Sequence, residues 1–180
     1  KVAVDELASA LEAKGVKVAV SDLARCDMAE VVEDAFRYDR LVLATTTYNA
    51  DIFPFMREFI NHLVERNYSN RTVALIENGS WAPLAAKVMR EMLSKCKNLT
   101  FTDTSVKILS AVNSDSSEQI NALCEEICKE YLALVEGNLQ KKQEWQKEIA
   151  RQEAYIAQQR AWNRERNIIA AESRQKQLDK

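Results

Sequence analysis

The chain reads as a three-layer α/β domain on a parallel sheet, followed by an antiparallel helical hairpin. Three observations carry this reading. Short β-branched runs alternate with segments that are apolar at i, i+3 and i+4, as in a parallel sheet covered on both faces. Two of those runs end in polar loops that lead through proline into a helical segment. Beyond Gly137-Asn138 the composition turns to Gln, Lys, Arg, Glu and Ala, with no proline and no further glycine. The domain boundary therefore falls between residues 1–136 and residues 137–180.

Taken in order, residues 3–14 form a helix, with Ala3, Leu7, Ala10 and Leu11 on one stripe and Gly15 as its stop. Val16-Lys17-Val18-Ala19-Val20 is a strand. Residues 28–36 form a short helix and residues 40–44 a buried strand. Pro54 opens a helix that buries Phe55, Phe59, Ile60 and Leu63. Thr72-Val73-Ala74-Leu75-Ile76 is the next strand, and Pro83 starts the helix after it. Residues 101–109 are a broken strand, and residues 117–134 a helix with Ile120, Leu123, Ile127, Tyr131 and Leu134 at helical spacing. In the tail, Ile149 and Ile156 stand one heptad apart, as do Ala171 and Leu178, with a turn at Asn163-Arg164-Glu165-Arg166-Asn167. The thin seam of this hairpin buries little area.

The chemistry concentrates in two loops. The strand Leu41-Val42-Leu43 runs into Ala44-Thr45-Thr46-Thr47-Tyr48-Asn49-Ala50-Asp51-Ile52-Phe53-Pro54, and the strand at 72–76 runs into Glu77-Asn78-Gly79-Ser80-Trp81-Ala82-Pro83. Ligands of open α/β sheets bind beyond the carboxyl ends of the strands. Two such loops with one aromatic each, Tyr48 and Trp81, suit a flat conjugated ligand; covering the edge of the core is the plainer role for both rings.

The first loop resembles the T-Y-N…P loop, and the second the G-S-x-W loop, of the flavodoxin-like domain in A-type flavoproteins (flavodiiron proteins), over about residues 1–134. The resemblance implies a flavodoxin-like fold that binds FMN noncovalently and passes electrons to a redox partner protein, as part of an oxidoreductase. It implies cofactor contacts from Thr46, Thr47, Tyr48 and Asn49, and from Asn78, Gly79, Ser80 and Trp81, with Val112-Asn113-Ser114-Asp115 as a weaker third loop. Ala3-Val4-Asp5-Glu6-Leu7-Ala8 fits the family's first helix, so the family's first strand and glycine-containing phosphate loop have no counterpart here. That leaves a slot about two strand spacings wide, roughly 10 Å, between residues 16–20 and 40–44. Buried unpaired backbone groups cost about 1–3 kcal/mol each. The expectation is a strand supplied by another polypeptide or segment, or a rearranged sheet, with FMN binding weak or lost unless the phosphate loop is supplied.

The tail resembles the helical linker of ABC-F type ATP-binding-cassette proteins, through Glu153-Ala154-Tyr155-Ile156 and Ser173-Arg174-Gln175-Lys176-Gln177-Leu178. It implies a coiled-coil arm whose tip, with Trp162, Asn163, Arg164, Arg166 and Asn167, reaches toward ribosome-bound RNA. Two families that do not ordinarily share a chain suggest a chimera, natural or engineered. The alternative to electron transfer is thus a structural or interaction protein.

Charge and composition narrow the rest. Net charge is −2, split as −6 over residues 1–136 and +4 over residues 137–180. The acidic domain is a poor binder of nucleic acid, and the basic tail is a weak one. One histidine, His62, excludes a Ser-His-Asp site and a diiron centre, and is read as a structural residue of a helix face. With no G-x-x-x-x-G-K-S/T there is no ATPase site, so the chain holds no self-contained catalytic site. Cys124 and Cys128, four apart, read as helix-packing thiols rather than metal ligands, as do Cys26 and Cys96. No apolar run reaches the roughly 20 residues of a membrane span, and no signal peptide is evident. The expectation is a cytoplasmic protein.

Overall fold

In the computed structural model the backbone is described for residues 1–178, and the side chains for residues 1–129, 136–151 and 154. The chain divides into two units, Lys1–Tyr131 and Leu132–Lys180. The first holds five helical or partly helical segments and one sheet of mixed length. In order these are α1 (Val2–Ala13), α2 (Met28–Arg37), β1 (Arg40–Tyr48), β2 (Asp51–Ile52), α3 (Pro54–Glu65), β3 (Arg71–Gly79), α4 (Ala85–Leu93), β4 (Leu99–Phe101), β5 (Val106–Leu109) and the start of α5 (Ser114–Leu178).

β3 is the middle of the sheet. β1 lies parallel on one side, with Leu41 opposite Val73 and Thr46 opposite Asn78. On the other side β4 pairs with residues 71–73 and β5 with residues 76–79, both parallel. The broken strand expected at 101–109 is thus two short strands that share one edge of β3. Val73 through Glu77 of β3 are all buried, as a parallel strand flanked on both edges and covered on both faces requires.

Alternation along the strands divides the core between the two faces. Leu43, Val73 and Leu75 pack with Val31 and Val32 of α2, Phe59, Ile60 and Leu63 of α3, and Met89 and Leu93 of α4. Ala74, Ile76, Val106 and Ile108 pack with Leu7 and Leu11 of α1 and with Ile120, Leu123 and Ile127 of α5. The layers are helix, sheet, helix, as the sequence predicts. Cys124 and Cys128 belong to the second cluster, where burial pushes the Cys124 thiol up to about 11. They act as small core residues there.

Local signals account for the ends. Gly15 takes φ 78° and donates to the Glu12 carbonyl, closing α1. Asp27 caps α2 by accepting from the Ala29 amide at 2.7 Å. Pro54 occupies the first turn of α3. Asn113 and Ser116 cap α5 reciprocally: the Ser116 amide donates to Asn113 Oδ1, and the Asn113 amide donates to Ser116 Oγ.

Two sequence expectations need correction. Residues 16–20 form no strand. The Val16 amide donates to the Leu11 carbonyl, and the segment that follows has no ladder partner among the described residues. β propensity alone does not make a strand without a neighbour. The antiparallel hairpin at 137–180 is also not formed: α5 is helical from Ser114 to Leu178, through Gly137 and through residues 163–167. After Gly137 the tail is rich in good helix formers, with weaker ones such as Asn138, Asn163, Asn167 and Ser173 scattered singly. One glycine costs about 1 kcal/mol and does not stop a helix. The seam residues Ile156, Ala171 and Leu178, and the tip residues Trp162, Asn163, Arg164, Arg166 and Asn167, have side chains outside the described residues. Trp145 and Ile149 are exposed. No helix among the described residues is long and apolar enough to cross a membrane.

Candidate functional site

The carboxyl ends of β1, β3 and β5 are tied to one another by polar contacts. Thr46 stands opposite Asn78 in the ladder, and its hydroxyl lies 3.4 Å from the Asn78 carbonyl. The Asn78 side-chain amide donates to the Ser110 carbonyl at 3.2 Å, and the Ser110 amide donates to the Gly79 carbonyl at 3.0 Å. Ser110 takes φ 66°, turning the chain away from β5. These ends border a groove of about 610 Å³, lined by Lys1 and the first turn of α1, Ala44, Thr45 and Thr46 of β1, Ile76 and Asn78 of β3, Ile108 of β5, and residues 110–112.

The first loop is a tight hairpin. Tyr48 pairs with Asp51, and the two residues between them, Asn49 and Ala50, have φ 51° and 58°. Positive φ at both central positions is the type I′ turn that joins antiparallel strands. Asn49 suits that position; Ala50 is strained there, because its Cβ crowds the backbone. Asp51 anchors the turn. Its carboxylate accepts from the Ile52 amide at 2.7 Å and pairs with the Arg57 guanidinium, and these bonds hold its pKa below the usual carboxylate value, Arg57 first. The Tyr48 ring meets Phe53 edge-on at 5.6 Å, and Phe53 meets Phe55 at 5.9 Å. Tyr48 is 54% exposed.

The second loop is held at both ends. A Cβ on Gly79 would lie 3.0 Å from the Cα and Cβ of Pro83, so the backbone at 79 and 83 approaches as only glycine permits. At its far end the loop enters α4, whose own N-cap, Leu84, supplies no capping side chain. The acceptors come from the strands. Thr47 Oγ1 of β1 accepts from the Leu84 amide at 2.9 Å and the Ala85 amide at 3.2 Å, and Glu77 Oε2 of β3 accepts from the Ala86 amide at 2.9 Å. Two different strands thus cap one helix. Between these anchors Ser80 is exposed and Trp81 is 91% exposed.

Of the eight residues singled out by sequence, Thr46 and Asn78 line the groove. Thr47 is engaged with α4, Asn49 shapes the hairpin turn, and Gly79 allows the close approach to Pro83. Tyr48, Ser80 and Trp81 are exposed on the two loops and do not line the groove. In the third loop Val112 lines the groove and Asn113 caps α5. Sequence reasoning missed residues 1–4, Thr45, Ser110 and the capping role of Glu77. A helix start beside strand ends was the available signal for residues 1–4, and a carboxylate at the end of an apolar strand was the signal for Glu77. His62 lies half-exposed on α3 between Glu58, Glu65 and Arg66, away from these loops in sequence and engaged with its own helix.

No family model and no curated protein matches the chain. Solved structures do. Rubredoxin oxygen:oxidoreductase from Desulfovibrio gigas matches with a TM-score of 0.68 at 17% identity, over 73% of this chain and 32% of that one. A flavo-di-iron protein from Thermotoga maritima matches with a TM-score of 0.57 at 22% identity, over 71% of this chain and 32% of that one. Oxidised flavodoxin 1 from Bacillus cereus matches with a TM-score of 0.61 at 16% identity, over 71% of this chain and 87% of that one. The chain thus spans about a third of the two larger proteins and most of the flavodoxin. At these identities the likeness is one of fold, and the fold of the sheet unit is flavodoxin-like.

Proposed function

We propose that the sheet unit is an electron-transfer module that binds FMN noncovalently at the carboxyl ends of β1, β3 and β5, as the flavin part of an oxidoreductase served by a redox partner protein. The observation that carries this reading is the groove itself. At about 610 Å³ it falls in the range of small-molecule sites. It brings a helix start and three strand ends together, with an exposed aromatic on each of the two neighbouring loops.

The residues present fit the group in part. The first turn of α1 borders the groove, and the amides of Val2 and Ala3 precede the first bonds of the helix, which Val4 and Asp5 make to the Lys1 carbonyl. Such N–H groups suit a phosphate. Thr46 and Asn78 offer polar contacts, and Tyr48 and Trp81 offer flat faces. Flavin, when bound, supplies the redox chemistry; the chain binds, orients and surrounds it. The −6 charge of residues 1–136 raises the cost of added negative charge at the site and favours a basic redox partner.

Titration of the chain with FMN, followed by quenching of flavin fluorescence, tests the reading. Trp81→Ala and Tyr48→Ala should each weaken binding by about 1–3 kcal/mol, the scale of stacking on a flat base. Unchanged affinity in both variants would show that the rings do not contact flavin, and an absence of any binding would remove the function proposed.

A further inference from the structure

Two buried thiols take no part in the site at the strand ends. Cys124 and Cys128 stand four apart on α5, so they share one helix face, with Cβ atoms about 5–6 Å apart. Both are free thiols, 2% and 4% exposed, packed with Leu7 and Leu11 of α1 and with Ile120, Leu123 and Ile127 of α5. Burial first, and then the charge and hydrogen bond of Cys128, raise the Cys124 pKa, so the two sulfurs are direct neighbours. A cation stands beside them. Lys14 closes the end of α1 away from the groove and pairs with Glu125 Oε1 at 2.7 Å. The Glu125 hydrogen bond first, and both cysteines after it, raise the Lys14 pKa, which puts the ammonium within electrostatic range of both sulfurs. Val16 and Val18, just beyond, lie half-buried against the same cluster, in a segment without a ladder partner among the described residues. A segment held by few backbone bonds opens at low cost and gives access to the cluster beneath it.

We infer that Cys124 and Cys128 form a two-sulfur site for a soft monovalent metal ion, copper(I). The number of ligands selects the ion. Among the described residues no group of three or more histidine, cysteine, aspartate or glutamate side chains could hold a metal. Structural zinc, which takes four protein ligands, therefore has no site here, whereas soft copper(I) is held by thiolates and is satisfied by two of them in line. Charge selects the same ion. Two thiolates and one copper(I) carry a single negative charge, which the Lys14 ammonium offsets where an uncompensated buried charge would be costly. Binding breaks two S–H bonds and forms two Cu–S bonds; both protons leave to solvent, and no electron is transferred. Without metal the same thiols remain neutral core residues, as their burial requires. The pair lies at the opposite end of α1 from the groove and does not depend on flavin.

The test is anaerobic transfer of copper(I) from its coloured bicinchoninate complex to the full chain carrying Cys26→Ser and Cys96→Ala, which removes the other two thiols. One equivalent should be taken up, and X-ray absorption should show two Cu–S bonds and no nitrogen ligand. Cys124→Ala and Cys128→Ala should each lower the affinity by roughly a hundredfold, since one thiolate holds the ion poorly. Lys14→Gln probes the site without a core substitution, because Lys14 is exposed. It should lower the affinity by about fivefold at low salt, the scale of a partly screened charge, and leave the copper–sulfur signal unchanged. No uptake, uptake that survives Cys124→Ala, or an affinity indifferent to Lys14 would overturn the inference. So would saturation at half an equivalent, which would mean that two chains share one ion through separate thiols.

Discussion

Replacing Thr47 by valine removes one oxygen and almost no volume, and it removes the acceptor of two helix-start amides together. The Leu84 and Ala85 amides donate to Thr47 Oγ1 at 2.9 and 3.2 Å. Loss of an N-cap acceptor costs about 0.5–2 kcal/mol. Leu84 is 40% exposed, so water can replace the lost partner there. Ala85 is fully buried, and an unsatisfied buried donor costs about 1–3 kcal/mol. The Glu77 carboxylate continues to accept from Ala86 and limits the damage to the first two donors. The net expectation is a loss of about 2 kcal/mol. For a unit of this size that lowers Tm by roughly 5–10 °C. Urea denaturation followed by circular dichroism measures it, with Thr47→Ser as the control that keeps the hydroxyl. A valine variant within about 0.5 kcal/mol of the parent, well under a typical cap, would refute the capping argument. So would a serine variant as damaged as the valine one, since the methyl group would then be the stabilising part.

Three further outcomes follow from the same end of the sheet. Gly79→Ala should destabilise by about 1–3 kcal/mol, because the added carbon sits 3.0 Å from Pro83 and one of the two backbones must move; denaturant midpoints measure it. Ala50→Gly should stabilise by about 0.5–1 kcal/mol in the same assay, since φ 58° strains an L-residue and suits glycine. Asp51 has a lowered pKa in the fold, so its contribution is complete above the ordinary carboxylate value and is lost as pH falls through the folded one. Arg57→Ala should flatten that part of the stability profile below about pH 4, measured as thermal midpoints across acidic buffers.

The layered fold was legible because its signals are redundant. The helices α1, α2 and α3 each combine a stripe of buried residues with an end signal, Gly15, Asp27 and Pro54 in turn, and α4 has the stripe. β1 and β3 are continuous apolar runs that end in polar loops. What escaped depends on partners that no local pattern specifies. Residues 16–20 have strand composition, and only a neighbouring ladder would make them one. The two-residue β2 is too short to show alternation, and its turn uses Asn49-Ala50 where the recognisable pair would be Asn-Gly. In the tail the heptad spacing suits a seam with a turn, yet without proline or further glycine nothing obliges the helix to stop. At the two loops, residue type marked polar strand ends without fixing what each side chain does. Thr47 and Asn49 looked like ligand contacts because hydroxyls and amides serve equally well as ligands, caps and turn formers.

That ambiguity bears on function, because a polar group that holds a loop is fixed in place before a ligand arrives. The ties at this end of the sheet are numerous: Thr46 to Asn78, Asn78 to Ser110, Thr47 and Glu77 to α4, and Asp51 to Arg57. At the other end the Arg71 guanidinium donates to the carbonyls of Phe36, Tyr38, Ser69 and Asn70. The backbone around the groove is therefore set before any ligand arrives, and Trp81 and Tyr48 remain exposed on loops whose bases cannot shift far. A flat ligand would find its polar contacts preorganised and its aromatic ones free to close over it. That division explains why the caps, rather than the exposed rings, should govern stability, and why the rings, rather than the caps, should govern affinity. Thr47→Val and Trp81→Ala, each measured for both quantities, separate these two roles within a single loop system.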